Sequence, residues 1–227
     1  MSLDLKEKMA NYPNIKIYNT LPKILKYRSA SMPDTVALRD KDLGIWNEIT
    51  WKQYNDNVSY LALGLAKRGF KQGDVIGLIG DNKPSWLYFE LAAQAVGGMS
   101  LGIYRDTLDE EVGYLINAAK VNFVYAEDQE QVDKILTIKR PKTNQITMFY
   151  EDSRGLKELN DPHIVDMLEL MNEGQVIANK TPNKYNQMID KVSDKQEAIL
   201  CTTSGTTSNP KLAMLPGGKF VEHVTRY

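Results

Sequence analysis

The stretch that decides the fold is residues 50–104, TWKQYNDNVSYLALGLAKRGFKQGDVIGLIGDNKPSWLYFELAAQAVGGMSLGIY. Its first part predicts a helix over residues 50–69, because apolar residues recur at a 3.6-residue spacing after a capping box made by Thr50 and Gln53. The run VIGLI at residues 75–79 predicts a strand that is buried on both faces. A proline shortly after that strand can open a second helix. A helix, a strand and a helix in succession indicate an α/β unit.

The same alternation continues along the rest of the chain. Further strands are predicted at 101–104, 123–126, 146–149 and 198–201, and further helices at 84–96, 107–119, 129–136, 164–171 and 185–192. The helix at 107–119 starts at a second capping box, made by Thr107 and Glu110. Parallel neighbours need crossovers long enough to hold a helix. The pattern therefore predicts the fold class α/β, with a largely parallel sheet flanked by helices.

Composition and charge exclude several classes of protein. The chain has 227 residues, 42% of them hydrophobic, with 28 basic against 29 acidic residues, so its net charge of −1 gives no attraction to nucleic acid. Cys201 is the only cysteine, which excludes an intramolecular disulfide. The first residues lack the apolar core of a signal peptide, and no apolar stretch reads as a membrane span, so a cytoplasmic protein is expected. Cys201 and Trp46 are both expected in the core.

The stretch with the most functional information is Cys201–Lys211, CTTSGTTSNPK, directly after a predicted strand. A loop of hydroxyls and glycine after a buried strand can turn several N–H and O–H groups toward one point, which suits phosphate oxygens. Gly205 allows close approach of the backbone, and Lys211 adds a positive charge. The string is not a Walker A loop. A solvated Ser/Thr loop is the alternative interpretation from composition alone.

TSGTT followed by NPK resembles the signature loop of the adenylate-forming enzymes, which include acyl-CoA synthetases, luciferases and the adenylation domains of peptide synthetases. Residues 49–104 and the segment YLINAAKVNFVYAEDQEQVDKIL also look like that family, and the whole looks most like its long-chain fatty acyl-CoA synthetase branch. The resemblance implies a two-step reaction. A carboxylate attacks the α-phosphate of ATP to give an acyl-adenylate and pyrophosphate, and the thiol of coenzyme A then displaces AMP.

The resemblance also implies roles for residues of the loop. The β- and γ-phosphates of ATP would be cradled by Thr203, Ser204, Gly205, Thr206 and Thr207. Thr203 would contact Mg²⁺, and Lys211 would be a mobile counter-charge. Two positions differ from the family's usual glycine, Ser208 and Leu212, and the latter adds bulk beside Lys211.

The resemblance also sets expectations for the whole protein. Residues 1–20 are expected to form an N-terminal arm and residues 21–227 an incomplete N-terminal, ATP-binding domain, with the catalytic residues and the C-terminal domain expected after Tyr227. The partners would be a fatty acid, ATP and coenzyme A, without a transmembrane segment. Peripheral membrane contact and self-association through uncovered apolar surface stay open. The 227 residues alone are predicted to be inactive. The alternative is a naturally short, non-catalytic nucleotide-binding or interaction module of the same descent.

Overall fold

The computed structural model describes residues 13–139, 141, 145–203 and 210–224. Nine strands are found in these ranges: β1 Val36–Asp42, β2 Ile45–Thr50, β3 Val75–Gly80, β4 Met99–Tyr104, β5 Phe123–Ala126, β6 Thr147–Tyr150, β7 Ile164–Asp166, β8 Glu197–Thr203 and β9 Lys211–Pro216. The same ranges contain eight helices: α1 Leu21–Ser31, α2 Trp51–Lys67, α3 Pro84–Val96, α4 Asp109–Ala118, α5 Gln129–Leu136, α6 Met167–Lys180, α7 Lys184–Asp190 and α8 Gly217–Val224.

Seven strands form one sheet in the order β7-β6-β5-β3-β4-β8-β9, and β1 and β2 form a separate antiparallel hairpin. Every pairing within the large sheet is parallel except the last, in which β9 runs antiparallel to β8. The central strand β3 is buried over residues 75–79, because β4 and β5 flank it and helices cover both of its faces. The largely parallel α/β sheet expected from the sequence is therefore confirmed.

Helices cover the two faces of the sheet as two separate apolar layers. On one face α1, α2, α3, α6 and α7 pack on the sheet around Phe89, Tyr125 and Phe149, whose rings stack. On the other face α4 and α5 pack around Val124 and Ile79. Because α3 follows β3 on one face while α4 and α5 follow β4 and β5 on the other, the connections diverge at the carboxyl end of β3, a position where α/β sheets usually bind ligands.

Local capping confirms part of the prediction from the sequence. At the start of α2 the Gln53 N–H donates to Thr50 Oγ1 at 3.2 Å, and the Thr50 N–H donates to Gln53 Oε1 at 2.9 Å. The predicted box of Thr107 and Glu110 is wrong, because α4 begins at Asp109 after Leu108, which offers no capping side chain. Three acidic residues in the first turn of α4 favour the positive end of the helix dipole instead.

The predicted helix over residues 164–171 is also wrong in its first turn. Residues 164–166 form the edge strand β7, paired with β6, and α6 begins only at Met167. Asp166 separates the two elements, since its Oδ1 accepts a hydrogen bond from the Leu168 N–H at 2.7 Å and so caps the helix.

Two residues expected in the core are exposed. The Trp46 side chain is 61% exposed because it lies on the β1–β2 hairpin, which the sequence pattern did not predict. Cys201 is exposed because it lies in the last part of β8, where residues 201–203 are all exposed. Burial of both residues depended on which elements cover them, which local sequence does not specify.

Candidate functional site

The hydroxyl-rich loop joins β8 to β9 at the edge of the sheet. Thr203, the last residue of β8, pairs in register with Lys211, the first residue of β9, and the Thr203 hydroxyl donates to the Lys211 carbonyl oxygen at 3.4 Å. Both side chains are exposed. The other residues expected to hold phosphate, Ser204, Gly205, Thr206 and Thr207, lie outside the described residues. The two ends of the loop are thus side by side, on one face of the hairpin.

The two described ends of this segment, Thr203 and Lys211, lie at the edge where the parallel strands end. Strands β3, β4, β5, β6 and β8 are parallel, so their carboxyl ends share one edge of the sheet, and β8 is next to β4. Backbone N–H groups and polar loops at this edge are the usual ligand-binding elements of such sheets. The position of Thr203 and Lys211 therefore suits a ligand held at the end of the sheet.

Helix α4 anchors the second arm of the loop. The Tyr114 hydroxyl donates to the Pro210 carbonyl oxygen at 3.2 Å, directly before β9. Leu212 packs against the core cluster beneath α4, on the face of the hairpin opposite Thr203 and Lys211. The sequence suggested that Leu212 adds bulk beside Lys211. In the structure the Leu212 side chain lies in the apolar layer instead. Sequence analysis missed Tyr114, and its separation of 96 residues from Pro210 left no local signal.

A charged cluster joins the loops that follow β3, β4 and β5 at the same edge. The Arg105 guanidinium lies 2.6 Å from Asp81, 3.6 Å from Asp128 and 3.9 Å from Glu127. The hydrogen bond with Asp81, together with these nearby carboxylates, raises the pKa of Arg105. Glu127, whose side chain is 7% exposed, also pairs with Lys83 at 2.8 Å and accepts a hydrogen bond from the Asp81 N–H at 2.6 Å. The cluster holds three strand ends together, and most of its carboxylate charge is paired with cations.

Gly80 is required at the centre of this cluster. Its φ is +154°, and a side chain there would meet Glu127 Cβ at 2.6 Å. Close packing against Glu127 is therefore the role that the structure supports for this glycine.

A second polar group fixes the start of α3 to the sheet. Ser85 Oγ lies 2.8 Å from the Tyr125 hydroxyl, and both hydroxyls donate to Glu151 Oε2 at 2.6 Å. Tyr125 is fully buried in β5, and Glu151 follows β6. Burial, together with the adjacent Glu151 charge, raises the pKa of Tyr125. The triad positions the loop between β3 and α3 at the carboxyl edge of the sheet.

A cleft of about 350 Å³ opens beside the β8–β9 hairpin, on the face of the sheet to which the Thr203 side chain belongs. Its walls come from α3, β4 and β8 and include Trp86, Glu90, Ser100, Gly102, Ile199 and Cys201. Burial raises the pKa of Glu90. This volume is at the lower end of the range for small-molecule sites.

Within the described ranges, no three His, Cys, Asp or Glu side chains converge as a metal site, which leaves the Thr203 hydroxyl as the only predicted Mg²⁺ contact in that part of the chain. None of the described helices is long and apolar enough to span a bilayer.

Comparison with known proteins adds a family and a fold. The sequence profile described as "AMP-binding enzyme" matches residues 25–227. The long-chain-fatty-acid–CoA ligase ACSBG2 of Rattus norvegicus is 29% identical over 86% of this chain, and ACSBG1 of Homo sapiens is 29% identical over 80%. The chain spans only 29% and 24% of the length of these two relatives.

Solved structures share the fold at low identity. The anthranilate CoA ligase AuaEII in complex with anthranoyl-AMP matches with a TM-score of 0.74 and 16% identity, over 92% of this chain and 36% of that one. The luciferase-like enzyme from the nonluminescent Zophobas morio mealworm matches with a TM-score of 0.73 and 16% identity, over 94% and 46% of the two chains. These matches confirm that the sheet is the N-terminal α/β architecture of adenylate-forming enzymes.

Proposed function

This chain belongs to the AMP-binding enzyme family, and from that premise we propose that it forms the phosphate-binding part of an AMP-forming fatty acyl-CoA ligase. The relatives of similar sequence that carry the name long-chain-fatty-acid–CoA ligase support a long-chain fatty acid as the substrate. ATP and coenzyme A would be the co-substrates.

One observation carries the proposal: the in-register pairing of Thr203 with Lys211, which closes the TSGTT–NPK loop at the carboxyl edge of a parallel sheet. The pairing holds an exposed hydroxyl and an exposed ammonium group on one face of the hairpin. The Lys211 side chain is exposed, so its charge is accessible to an anion. Tyr114 fixes the arm that leads to Lys211 by its hydrogen bond to Pro210.

In the proposed reaction a carboxylate oxygen bonds to the α-phosphorus of ATP, and the bond from that phosphorus to pyrophosphate breaks. Negative charge grows on the leaving pyrophosphate, so donors already in place at its oxygens stabilise the transition state. The Thr203 hydroxyl would turn its one proton from the Lys211 carbonyl oxygen, 3.4 Å away, to such an oxygen, and Lys211 would add a positive charge. When bound, Mg²⁺ would neutralise phosphate charge further, with Thr203 as the candidate contact.

The remaining roles in the reaction are proposed to fall outside residues 1–227. By the family resemblance, the adenine, ribose and acyl contacts and the catalytic lysine would lie after Tyr227. We therefore propose that the 227 residues by themselves form no acyl-adenylate.

The test is ATP–pyrophosphate exchange dependent on a fatty acid, measured on the whole protein that contains this chain. Thr203→Ala is expected to lower the exchange rate about 100-fold, the usual loss for one donor to a developing anion. Thr203→Ser should retain most of the rate. Thr202→Ala is the matched control, because the Thr202 side chain lies on the opposite face of β8, and it should leave the rate unchanged.

Two results would contradict the proposal. The first is an equal rate in Thr203→Ala and in the unaltered protein. The second is ATP binding without any exchange at all, which would support the non-catalytic module instead.

A further inference from the structure

The tip of the β1–β2 hairpin is unusual for a tight turn. Asp42 pairs with Ile45, so the turn contains only Leu43 and Gly44. Both have positive φ, +46° for Leu43 and +84° for Gly44, as a type I′ turn requires. Asn, Asp or Gly normally fills the first position, because a leucine in the left-handed region is strained. The turn therefore carries a residue that is unfavourable for the turn itself.

This strained leucine is also almost fully exposed. Leu43 is 95% exposed, Ile45 is 68% exposed and Trp46 is 61% exposed. Ile45 and Trp46 are consecutive in β2, so their side chains lie on opposite faces of the hairpin. The ammonium group of Lys41 lies 5.6 Å from the centre of the Trp46 ring. Apolar surface thus surrounds a convex tip on both faces.

We propose that this tip, residues 43–46, inserts into the interface of a lipid bilayer. A protein partner would bind one face or one edge of a hairpin, whereas an apolar tip exposed on every side suits a deformable apolar medium. Tryptophan with a neighbouring lysine is typical of the boundary between lipid and water. The strained backbone at Leu43 lowers the stability of the turn. A leucine at this position is therefore better explained by a contact with a binding partner than by the stability of the hairpin.

The charges of the hairpin indicate which lipid surface fits. Between residues 36 and 50 there are two cations, Arg39 and Lys41, and three anions, Asp40, Asp42 and Glu48. Arg39 is already paired with Glu48 at 3.0 Å. Anionic headgroups therefore add no electrostatic attraction for the hairpin. Its partner is a zwitterionic lipid surface, to which the tip binds by apolar contact. The inference depends on the hairpin alone and stands whether or not the ligase proposal holds.

The test is flotation of the purified protein with phosphatidylcholine vesicles. The unaltered protein should bind, with little change when salt is raised or when phosphatidylserine is added. Leu43→Asn should lower the partition coefficient about tenfold or more, the usual effect of removing one buried leucine. Since asparagine suits the left-handed turn, this variant should melt at the same or a higher temperature, so lost binding cannot be attributed to unfolding. Leu168→Asn, which removes a 61% exposed leucine from the first turn of α6, is the control and should bind as before.

Brominated phosphatidylcholine gives a second readout. Bromine at shallow chain positions should quench the fluorescence of the unaltered protein and should quench Trp46→Phe much less. Three results would overturn the proposal: no vesicle binding by the unaltered protein, equal binding by Leu43→Asn, or an apolar tip that instead holds two copies of the chain together. The last would appear as a dimer in lipid-free sedimentation that Leu43→Asn abolishes, with no vesicle binding.

Discussion

Replacing Tyr125 with phenylalanine tests the buried triad that fixes α3 to the sheet. The substitution removes a hydroxyl that lies 2.6 Å from Glu151 and 2.8 Å from Ser85, while the ring keeps its packing against Phe89. A hydrogen bond to a charged group contributes about 1.5–3 kcal/mol. Ser85 still donates to Glu151 in the variant, so the carboxylate keeps a donor and the expected loss is about 2 kcal/mol. In a chain of this length that loss lowers Tm by about 4–8 °C.

The assay is thermal unfolding followed by circular dichroism, with Tyr150→Phe as the matched control. Tyr150 is 8% exposed on the neighbouring strand, and its hydroxyl forms no hydrogen bond with another described residue, so its loss should change Tm by no more than about 2 °C. If Tyr125→Phe melts no lower than Tyr150→Phe, the triad does not stabilise this edge and the reasoning is wrong.

Two further predictions concern other residues near the ligand-binding edge. Burial raises the pKa of Glu90 above its ordinary value of 4.5, so the fold loses stability as the pH rises from that ordinary value to the raised one and stays less stable above it. Glu90→Gln should therefore raise Tm at pH 7–8, with the gain shrinking toward pH 4, and a gain that is constant with pH would contradict this. Gly80→Ala should cost about 1–3 kcal/mol in chemical denaturation, because it adds a collision with Glu127 to the strain of a positive φ. Gly69→Ala, at φ +96° with open space around it, is the control and should cost less than Gly80→Ala.

Much of the fold could be predicted because its signals are local. The capping box of Thr50 and Gln53 and the apolar run of β3 each lie within a few residues of sequence, and both were confirmed. The edge strand β7 was missed because three residues of strand run directly into a helix capped by Asp166, and the whole segment has helical periodicity. The hairpin β1–β2 was missed because leucine at its turn is not a turn signal.

The candidate site could be predicted only in its loop. The string at residues 203–211 is contiguous, so its chemistry was visible in the sequence. Tyr114 contacts Pro210, and Arg105 contacts Asp81, each at a distance in the chain that leaves no local signal. Only the order of strands in the sheet brings these partners together at that edge. The exposure of Cys201 likewise depends on what covers β8, which no local pattern encodes.

The most direct test of the central claim is the comparison of ATP and AMP binding by calorimetry. If residues 203–211 hold the β- and γ-phosphates, ATP should bind more tightly than AMP. Thr203→Ala should remove most of that preference, whereas Thr202→Ala should retain it. Equal affinity for the two nucleotides in the unaltered protein, or an unchanged preference in Thr203→Ala, would contradict the account.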